Sequence, residues 1–207
     1  FTLNSAVDNL CKNEFDHYRA KAEPHPMFIE HGIDAVPFAH EKMDEWRNNF
    51  KGIRHIDEEA GYNFGGAVDD IWEKPNGDLI VIDVKSTSKN VFDWEDTYSK
   101  WEYAKGYRRQ LEMYQWLLEK NGFNVASEGY LVYYNGKKHE PMFNQQLTFD
   151  LHLVKLECDN SWVEEAVLNA KATLDGDMPK PSKSCENCNY LRKRWEVSQK
   201  DPNKLVD

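Results

Sequence analysis

The sequence has 207 residues, 40% of them hydrophobic and 13% aromatic, which is typical of a folded domain with a substantial core. A net charge of −10 disfavours nonspecific binding of nucleic acid over the whole surface, although a local basic groove is compatible with it. No stretch approaches the roughly 20 apolar residues of a membrane span, and no signal-like segment is visible near the start. Because the chain begins at Phe1 rather than Met, we expect the natural protein to carry residues before it.

Hydrophobic periodicity and turn residues divide the chain into predicted elements. In chain order these are a helix over 3–20, a Pro-rich loop over 22–37, a helix over 38–50, a strand over 61–73, a turn at 75–78, a strand over 79–85, a helix over 98–121, strands over 128–136 and 143–156, and a helix over 161–176. This order predicts an α/β fold with a central mixed β-sheet flanked by helices. We expect residues 1–178 to form one domain and residues 179–207 a basic tail that contains cysteines.

The stretch DLIVIDVK (78–85) combines a hydrophobic strand with charged residues at its end. Side chains alternate between the two faces of a strand, so Asp83 and Lys85 share one face. Sites in α/β sheets gather at the carboxyl ends of strands. The preceding strand carries Asp69 and Asp70 on opposite faces, and only one of them can join Asp83. The sequence alone leaves open which one does.

Paired carboxylates beside a lysine suit metal-assisted hydrolysis of phosphodiester bonds. Carboxylate oxygens are ligands for hard divalent cations such as Mg²⁺ or Mn²⁺. Such a cation polarises the phosphoryl oxygen and lowers the pKa of a bound water. Lys85 is placed to orient that water or to offset charge on the phosphate.

Three short motifs follow one another in this part of the chain: Gly66-Ala67-Val68-Asp69, Asp83-Val84-Lys85, and Gln110 with Tyr114 in QLEMY. They are similar to the GxxD, (D/E)xK and QxxxY motifs of the PD-(D/E)XK nuclease superfamily. Within it, the sequence resembles the RecB-type exonuclease branch, which includes CRISPR-associated RecB-like nucleases. The order of the motifs and their strand–strand–helix context make the combination more specific than any one of them.

The resemblance implies a restriction-endonuclease-like core and a role for each matched residue. It implies that Asp69 and Asp83 bind the metal, with the Val84 carbonyl as a further ligand, and that Lys85 is catalytic. It implies that Gln110 and Tyr114, one helical turn apart, line the active site and position DNA. An ordinary position on the helix is the alternative for these two residues.

The family also places a metal ligand on the first helix, and Asp8 occupies that place here. His40 and Glu41 are rival candidates. If Asp69 is the ligand in the GxxD motif, Asp70 is expected to face solvent or to pair with a nearby Lys.

Four cysteines and no secretory signal predict a reduced, cytoplasmic protein. Many RecB-type nucleases bind an iron–sulfur cluster through one N-terminal and three C-terminal cysteines. Cys185 and Cys188 match part of that pattern, but no third cysteine follows them, and Cys11 lies within the predicted first helix. The set of cluster ligands is therefore incomplete in this sequence. The alternatives for the CxxC are two cysteines without a shared function, half a zinc site, or an interaction domain stabilised by a metal.

These features predict a deoxyribonuclease dependent on Mg²⁺ or Mn²⁺ that is exonuclease-like and acts on single-stranded DNA or duplex ends, with a helicase or another DNA-processing protein as a partner. The alternative is a nuclease-fold module that binds nucleic acid or serves as a scaffold without catalysis.

Basic residues around the third motif predict either a phosphate-binding strip or an ordinary charged helix face. Interleaved aromatic residues offer stacking surfaces for single-stranded bases, or are buried. The oligomeric state is left open. The basic residues are Lys100, Lys105, Arg108 and Arg109, and the aromatic ones are Trp94, Trp101, Tyr103 and Tyr107.

Overall fold

The computed structural model describes residues 2–200 of the chain. They divide into one compact unit that extends to Val167 and a smaller one that starts at Leu168. In chain order the elements are α1 (Thr2–Arg19), α2 (Pro26–His31), β1 (Val36–Pro37), α3 (Met43–Trp46), β2 (Ile53–Asp57), β3 (Tyr62–Gly66), β4 (Asp70–Glu73), β5 (Leu79–Thr87), α4 (Trp94–Lys100), α5 (Glu102–Lys120), β6 (Val125–Gly136), β7 (Phe149–Glu157), α6 (Val163–Asp175) and α7 (Glu186–Lys200).

The first unit is built on a mixed five-stranded sheet in the order β1-β4-β5-β6-β7. Strand β5 lies at its centre, antiparallel to β4 and parallel to β6. Helices α4 and α5 connect the parallel pair, as a crossover between parallel strands requires. The predicted fold class, an α/β protein with a central mixed sheet flanked by helices, is confirmed.

The alternation predicted for β5 separates two cores. Leu79 and Val81 pack in one cluster with residues of α5 such as Leu111. Ile80 and Ile82 pack in the other with aromatic residues of α1 and α2. Because both faces of β5 are covered, its sequence is almost continuously apolar, and the charged residues at its end stand out from it.

The prediction of one continuous strand over 61–73 is wrong, because the residues in the middle of this range are not in a strand. The structure has two strands there, with Ala67, Val68 and Asp69 between them. Strand β3 pairs with β2 in a separate two-stranded sheet, whereas β4 joins the main sheet. Val68 is buried and donates its N–H to the Trp46 carbonyl at 3.2 Å. The chain therefore changes sheets just before Asp69, and Asp69 lies in the bend that precedes β4.

Two further predictions near the N-terminus are wrong. Residues 22–37 were expected to be a loop, but they contain α2, whose Met27 N–H is capped by the His25 Nδ1 atom and which ends at Gly32 with φ of 66°. The helix expected over 38–50 is reduced to the single turn of α3. The Asn48 side chain stops it, since Oδ1 accepts N–H groups from Phe50 and Lys51.

The long helix predicted over 98–121 is divided. Helix α4 starts earlier, capped by the Asp93 side chain, and α5 follows after Trp101. Trp101 adopts an extended conformation, with φ of −122° and ψ of 117°. The sequence has neither Gly nor Pro at this position, so the usual signal for a break is missing.

The second unit contains the C-terminal part of α6 and the whole of α7. Helix α7 includes Cys188 and the basic run Arg192-Lys193-Arg194. The domain boundary expected between residues 178 and 179 stays a prediction. Between residues 2 and 200, none of the helices combines the length and apolarity needed to cross a membrane.

Candidate active site

Strand β5 carries two charged side chains on one face at its carboxyl end. Asp83 is 1% exposed, and its carboxylate forms an ion pair with the Lys85 ammonium. Burial raises the pKa of Asp83 to about 7, with Lys85 opposing the rise and Asp69 adding to it. Asp83 is therefore partly protonated at neutral pH even with the Lys85 ammonium beside it.

Asp69 approaches Asp83 from the bend before β4. The antiparallel pairing ends at Asp70, which lies opposite Ile82, and Asp69 directly precedes it and interacts with Asp83. The backbone N–H of Val84 donates to Asp69 Oδ2 at 2.7 Å. This hydrogen bond holds the Asp69 side chain against β5. Of the two adjacent acids, Asp69 is the one that lies beside Asp83.

Helix α1 brings a third acid and an additional lysine. Lys12 Nζ lies 2.8 Å from Asp8 Oδ2 and 3.8 Å from Asp69 Oδ1, so one ammonium group bridges the two carboxylates. Asp8 Oδ1 is buried and has no hydrogen-bond donor in the described part of the chain. Lys12 was not predicted from the sequence. Its spacing of four residues from Asp8 on a helix was the available signal.

Helix α5 contributes Gln110 and Tyr114. Gln110 Nε2 donates to the Tyr114 hydroxyl at 2.8 Å, as their spacing of one helical turn allows. Burial raises the pKa of Tyr114 to about 12, so this phenol stays protonated. The Lys85 ammonium lies over the ring of Tyr107, 4.5 Å from its centroid, which limits where that ammonium can move.

These residues surround a cavity of about 490 Å³. The seven residues predicted for the central site all line it, together with Tyr107 and polar residues that include Asn49, a loop residue that no motif indicated. The seven are Asp8, Asp69, Asp83, Val84, Lys85, Gln110 and Tyr114. The structure therefore brings together groups that lie up to 106 positions apart in the sequence, from Asp8 to Tyr114.

The rival metal ligands lie elsewhere. The ring of His40 stacks on that of Trp46, with 4.4 Å between centroids. His40 and Glu41 line a different cavity, beside Asp16 and Arg19.

Asp70 does not face solvent or pair with a lysine, and that expectation is wrong. It is fully buried and forms ion pairs with Arg19 and Arg47. Asp16 pairs with the same two arginines at the edge of this cluster. Asp70 thus anchors the start of β4 on the face of the sheet opposite to Asp69.

The cysteines differ in their surroundings. Cys11 is buried in the apolar core beside Tyr134, whose hydroxyl donates to Sγ at 3.4 Å. Burial raises the pKa of Cys11 to about 12, as expected for a core thiol rather than a reactive one. In the second unit, the Cys188 N–H donates to Cys185 Sγ at 3.4 Å. The iron–sulfur cluster stays a prediction with an incomplete ligand set.

Basic side chains of α4 and α5 pair with acids on their own helices. Lys105 and Arg109 both pair with Glu102, and Arg108 pairs with Glu112. This is the arrangement of an ordinary charged helix face.

The donor set of the cavity fits a hard divalent cation. Among residues 2–200, no three His, Cys, Asp or Glu side chains are grouped closely enough to hold a metal together. Mg²⁺, however, usually keeps several waters and takes only one or two carboxylates, and Asp69 and Asp83 supply two. Asp83 Oδ2 is paired with the Lys85 ammonium, whereas the buried Asp8 Oδ1 accepts no hydrogen bond from the described residues. A buried oxygen of this kind is suited to bind a cation.

A mixed sheet whose central strand delivers an acid and a lysine to a cavity defines a restriction-endonuclease-like α/β protein. The chain belongs to the PD-(D/E)XK nuclease superfamily, because the family model matches residues 2–192. Enzymes of this superfamily generally hydrolyse phosphodiester bonds with divalent metals, typically Mg²⁺. Comparison with curated proteins and with solved structures gave no match to this chain.

Proposed function

We propose that this protein is a divalent-metal-dependent deoxyribonuclease of the RecB-like type. The observation that supports this most strongly is the convergence of Asp69, Asp83 and Lys85 in one cavity. The superfamily match supports phosphodiester hydrolysis, and the RecB-like assignment rests on the Gln110–Tyr114 pair. An acidic protein of charge −10 would bring its substrate to this site through local contacts rather than through its overall field.

Asp69 and Asp83 are the proposed metal ligands, with Val84 and Asp8 beside them. When bound, Mg²⁺ or Mn²⁺ would supply Lewis-acid stabilisation to the phosphoryl group. The Val84 N–H keeps Asp69 directed at Asp83. Burial of Asp83 favours its neutral acid in the absence of metal, so metal binding would release a proton there.

Lys85 is proposed to be catalytic, either by positioning the attacking water or by stabilising charge on the phosphate. Its ammonium pairs with Asp83 and lies against the ring of Tyr107. From this position it can donate a hydrogen bond to a phosphate oxygen or to the attacking water. Gln110 and Tyr114 are proposed to contact the strand that is cut, since their hydrogen bond orients both polar groups at the cavity wall.

Cleavage of end-labelled linear DNA and of the same sequence as a closed circle tests the proposal. We expect wild-type protein with Mg²⁺ or Mn²⁺ to degrade the linear form and to spare the circle. Lys85→Ala should reduce the rate by about 100-fold or more. Lys74→Ala is the control, because Lys74 pairs with Glu128 and does not line the cavity.

The outcomes separate the parts of the proposal. A Lys85→Ala protein that cuts as fast as wild type overturns the assigned role of Lys85. Equal cutting of the circle overturns the exonuclease assignment. Cutting of RNA in place of DNA overturns the substrate assignment.

A binding or scaffold module without catalysis is the second candidate. It is favoured by the ammonium groups of Lys12 and Lys85, which already partner the acids of the cavity. Calorimetry with Mn²⁺ distinguishes it, since folded protein that binds neither Mn²⁺ nor Mg²⁺ would support the module and contradict the nuclease.

A further inference from the structure

A second cavity of about 300 Å³ adjoins the carboxylate cavity. The two share Lys85, Ser86 and Tyr107 as lining residues. A molecule in the second cavity would therefore lie next to whatever occupies the first. The motifs of the sequence do not explain this second space, and none of the acids proposed as metal ligands lines it.

Five of the ten residues that line this second cavity are aromatic. Phe92 stacks on His152 with ring centroids 4.2 Å apart and planes inclined by 10°. Tyr133 is buried, and its packing in the core fixes the position of its ring. Tyr103 is 48% exposed and lies edge-on to Tyr107 at 5.7 Å. The rings that line the cavity are those of Phe92, Trp94, Tyr103, Tyr107 and Tyr133.

The charged groups of the second cavity are positive. Lys85 and Lys89 line it, and its lining contains no Asp or Glu among the described residues. Lys89 is held in place, since its backbone N–H donates to Asn135 Oδ1 at 2.8 Å and its ammonium donates to the Thr97 hydroxyl. The Lys85 ammonium is already paired with Asp83, so Lys89 is the charged group of this lining that can contact an anionic ligand.

We propose that the second cavity binds one unpaired nucleobase, with the adjoining phosphate contacting Lys89. Flat aromatic walls stack on the faces of any base, and ammonium groups contact the backbone beside it. A base inside a duplex is stacked on both sides and cannot enter such a cavity without leaving the helix. The substrate is therefore single-stranded nucleic acid, or a duplex whose end is unpaired. This inference rests on the proposed function, and it specifies the substrate of that site.

Binding without cleavage tests the inference independently of catalysis. The probe is a fluorescently labelled single strand of mixed sequence, about 12 nucleotides long, titrated with protein in EDTA and followed by anisotropy. Tyr103→Ala should weaken binding by about fivefold or more, because one stacking surface is lost. Tyr103→Phe keeps the ring and should bind like wild type. Phe50→Ala removes an aromatic ring that is 91% exposed and does not line the cavity, so it should have no effect.

A second variant tests the phosphate contact. Lys89→Gln should reduce the slope of log K against log salt by about 0.7, the value for one phosphate of a single strand. Tyr103→Ala should weaken binding but leave that slope unchanged. A structural defect in either variant would not separate affinity from salt dependence in this way.

The inference is overturned if Tyr103→Ala and Lys89→Gln both bind the single strand like wild type, or if a blunt duplex binds as tightly as the single strand. Cleavage is measured separately with Mn²⁺. If Tyr103→Ala loses binding of the single strand while the wild-type protein cuts no DNA, the nucleotide cavity is supported and the proposed nuclease is contradicted. If wild type cuts blunt duplex and Tyr103→Ala binds the single strand like wild type, the proposed nuclease is supported and the nucleotide cavity is contradicted.

Discussion

The backbone N–H of Val84 donates a hydrogen bond to Asp69, with 2.7 Å between N and Oδ2. It joins the middle residue of the DVK motif to the last residue of the GAVD motif. Asp69 follows a segment that leaves the two-stranded sheet and enters the main one. Without this contact its side chain would have no fixed direction relative to Asp83. The geometry of the two carboxylates thus depends on a backbone group of the strand that carries one of them.

Gly66 lies against the ring of Tyr114, and this contact yields a stability prediction. A Cβ atom at Gly66 would lie 2.6 Å from Tyr114 Cε1, and the ring is buried in the core. Gly66→Ala should therefore lower the free energy of unfolding by about 1–3 kcal/mol through overpacking. Urea denaturation measures the change. Gly106→Ala is the control on helix α5, because beyond the neighbouring backbone of its own helix no atom lies within 4 Å of its added Cβ, and it should stabilise by about 0.5–1 kcal/mol. Equal effects of the two substitutions would contradict this contact.

The buried cluster around Asp70 predicts a large loss of stability when its acid is removed. Asp70→Asn leaves the Arg19 and Arg47 side chains, 10% and 7% exposed, without their buried anion. Removal of one member of a buried ion pair costs about 3–5 kcal/mol. Asp16→Asn removes the outer acid, which is 48% exposed, and should cost less than about 1 kcal/mol. The unfolding free energies of both variants check this order, and a smaller cost for Asp70→Asn than for Asp16→Asn would refute it.

Asp83 predicts a stability that changes with pH in metal-free protein. Its pKa is about 7 in the folded chain against 3.8 ordinarily. Between those values the folded state holds more protons, so this group's contribution to stability falls as pH rises through the window. Asp83→Asn is neutral at every pH and should raise the melting temperature in EDTA more at about pH 8 than at about pH 5. A difference in melting temperature between the two proteins that is independent of pH would contradict the raised pKa of Asp83.

Lys12 occupies the position between Asp8 and Asp69 that a cation would share. Its ammonium lies 2.8 Å from one carboxylate and 3.8 Å from the other. Replacing it by a neutral side chain of similar length removes this competition, so Lys12→Met should tighten Mn²⁺ binding roughly tenfold. Lys21→Met is the control, because Lys21 contacts His17 at the exposed end of the same helix. Weaker Mn²⁺ binding in Lys12→Met would show instead that Lys12 supports the metal site.

Regular local patterns predicted the parts of the site that lie within one element. Alternation along β5 placed Asp83 and Lys85 on one face, and the spacing of Gln110 and Tyr114 placed them one turn apart on α5. Both results follow from the geometry of a strand and of a helix. The match of the three motifs then selected Asp69 over Asp70, a choice that periodicity had left open.

Features that depend on distant partners could not be predicted in this way. The two arginines that neutralise Asp70 lie 51 and 23 residues before it. Strand β2 gains its structure by pairing with β3, and the break at Trp101 has no Gly or Pro to indicate it. In each case tertiary contacts outweigh local preference.

The proposed function depends on the binding of a divalent cation by Asp69 and Asp83 together. Calorimetric titration of Mn²⁺ into wild-type protein, Asp69→Asn, Asp83→Asn and the exposed control Asp34→Asn tests it most directly. We expect wild type and Asp34→Asn to bind Mn²⁺, and the affinities of the two cavity variants to be lower by at least about 10–100-fold, which is what loss of an outer-shell partner costs. Mn²⁺ binding that is equally tight in all four proteins would contradict it.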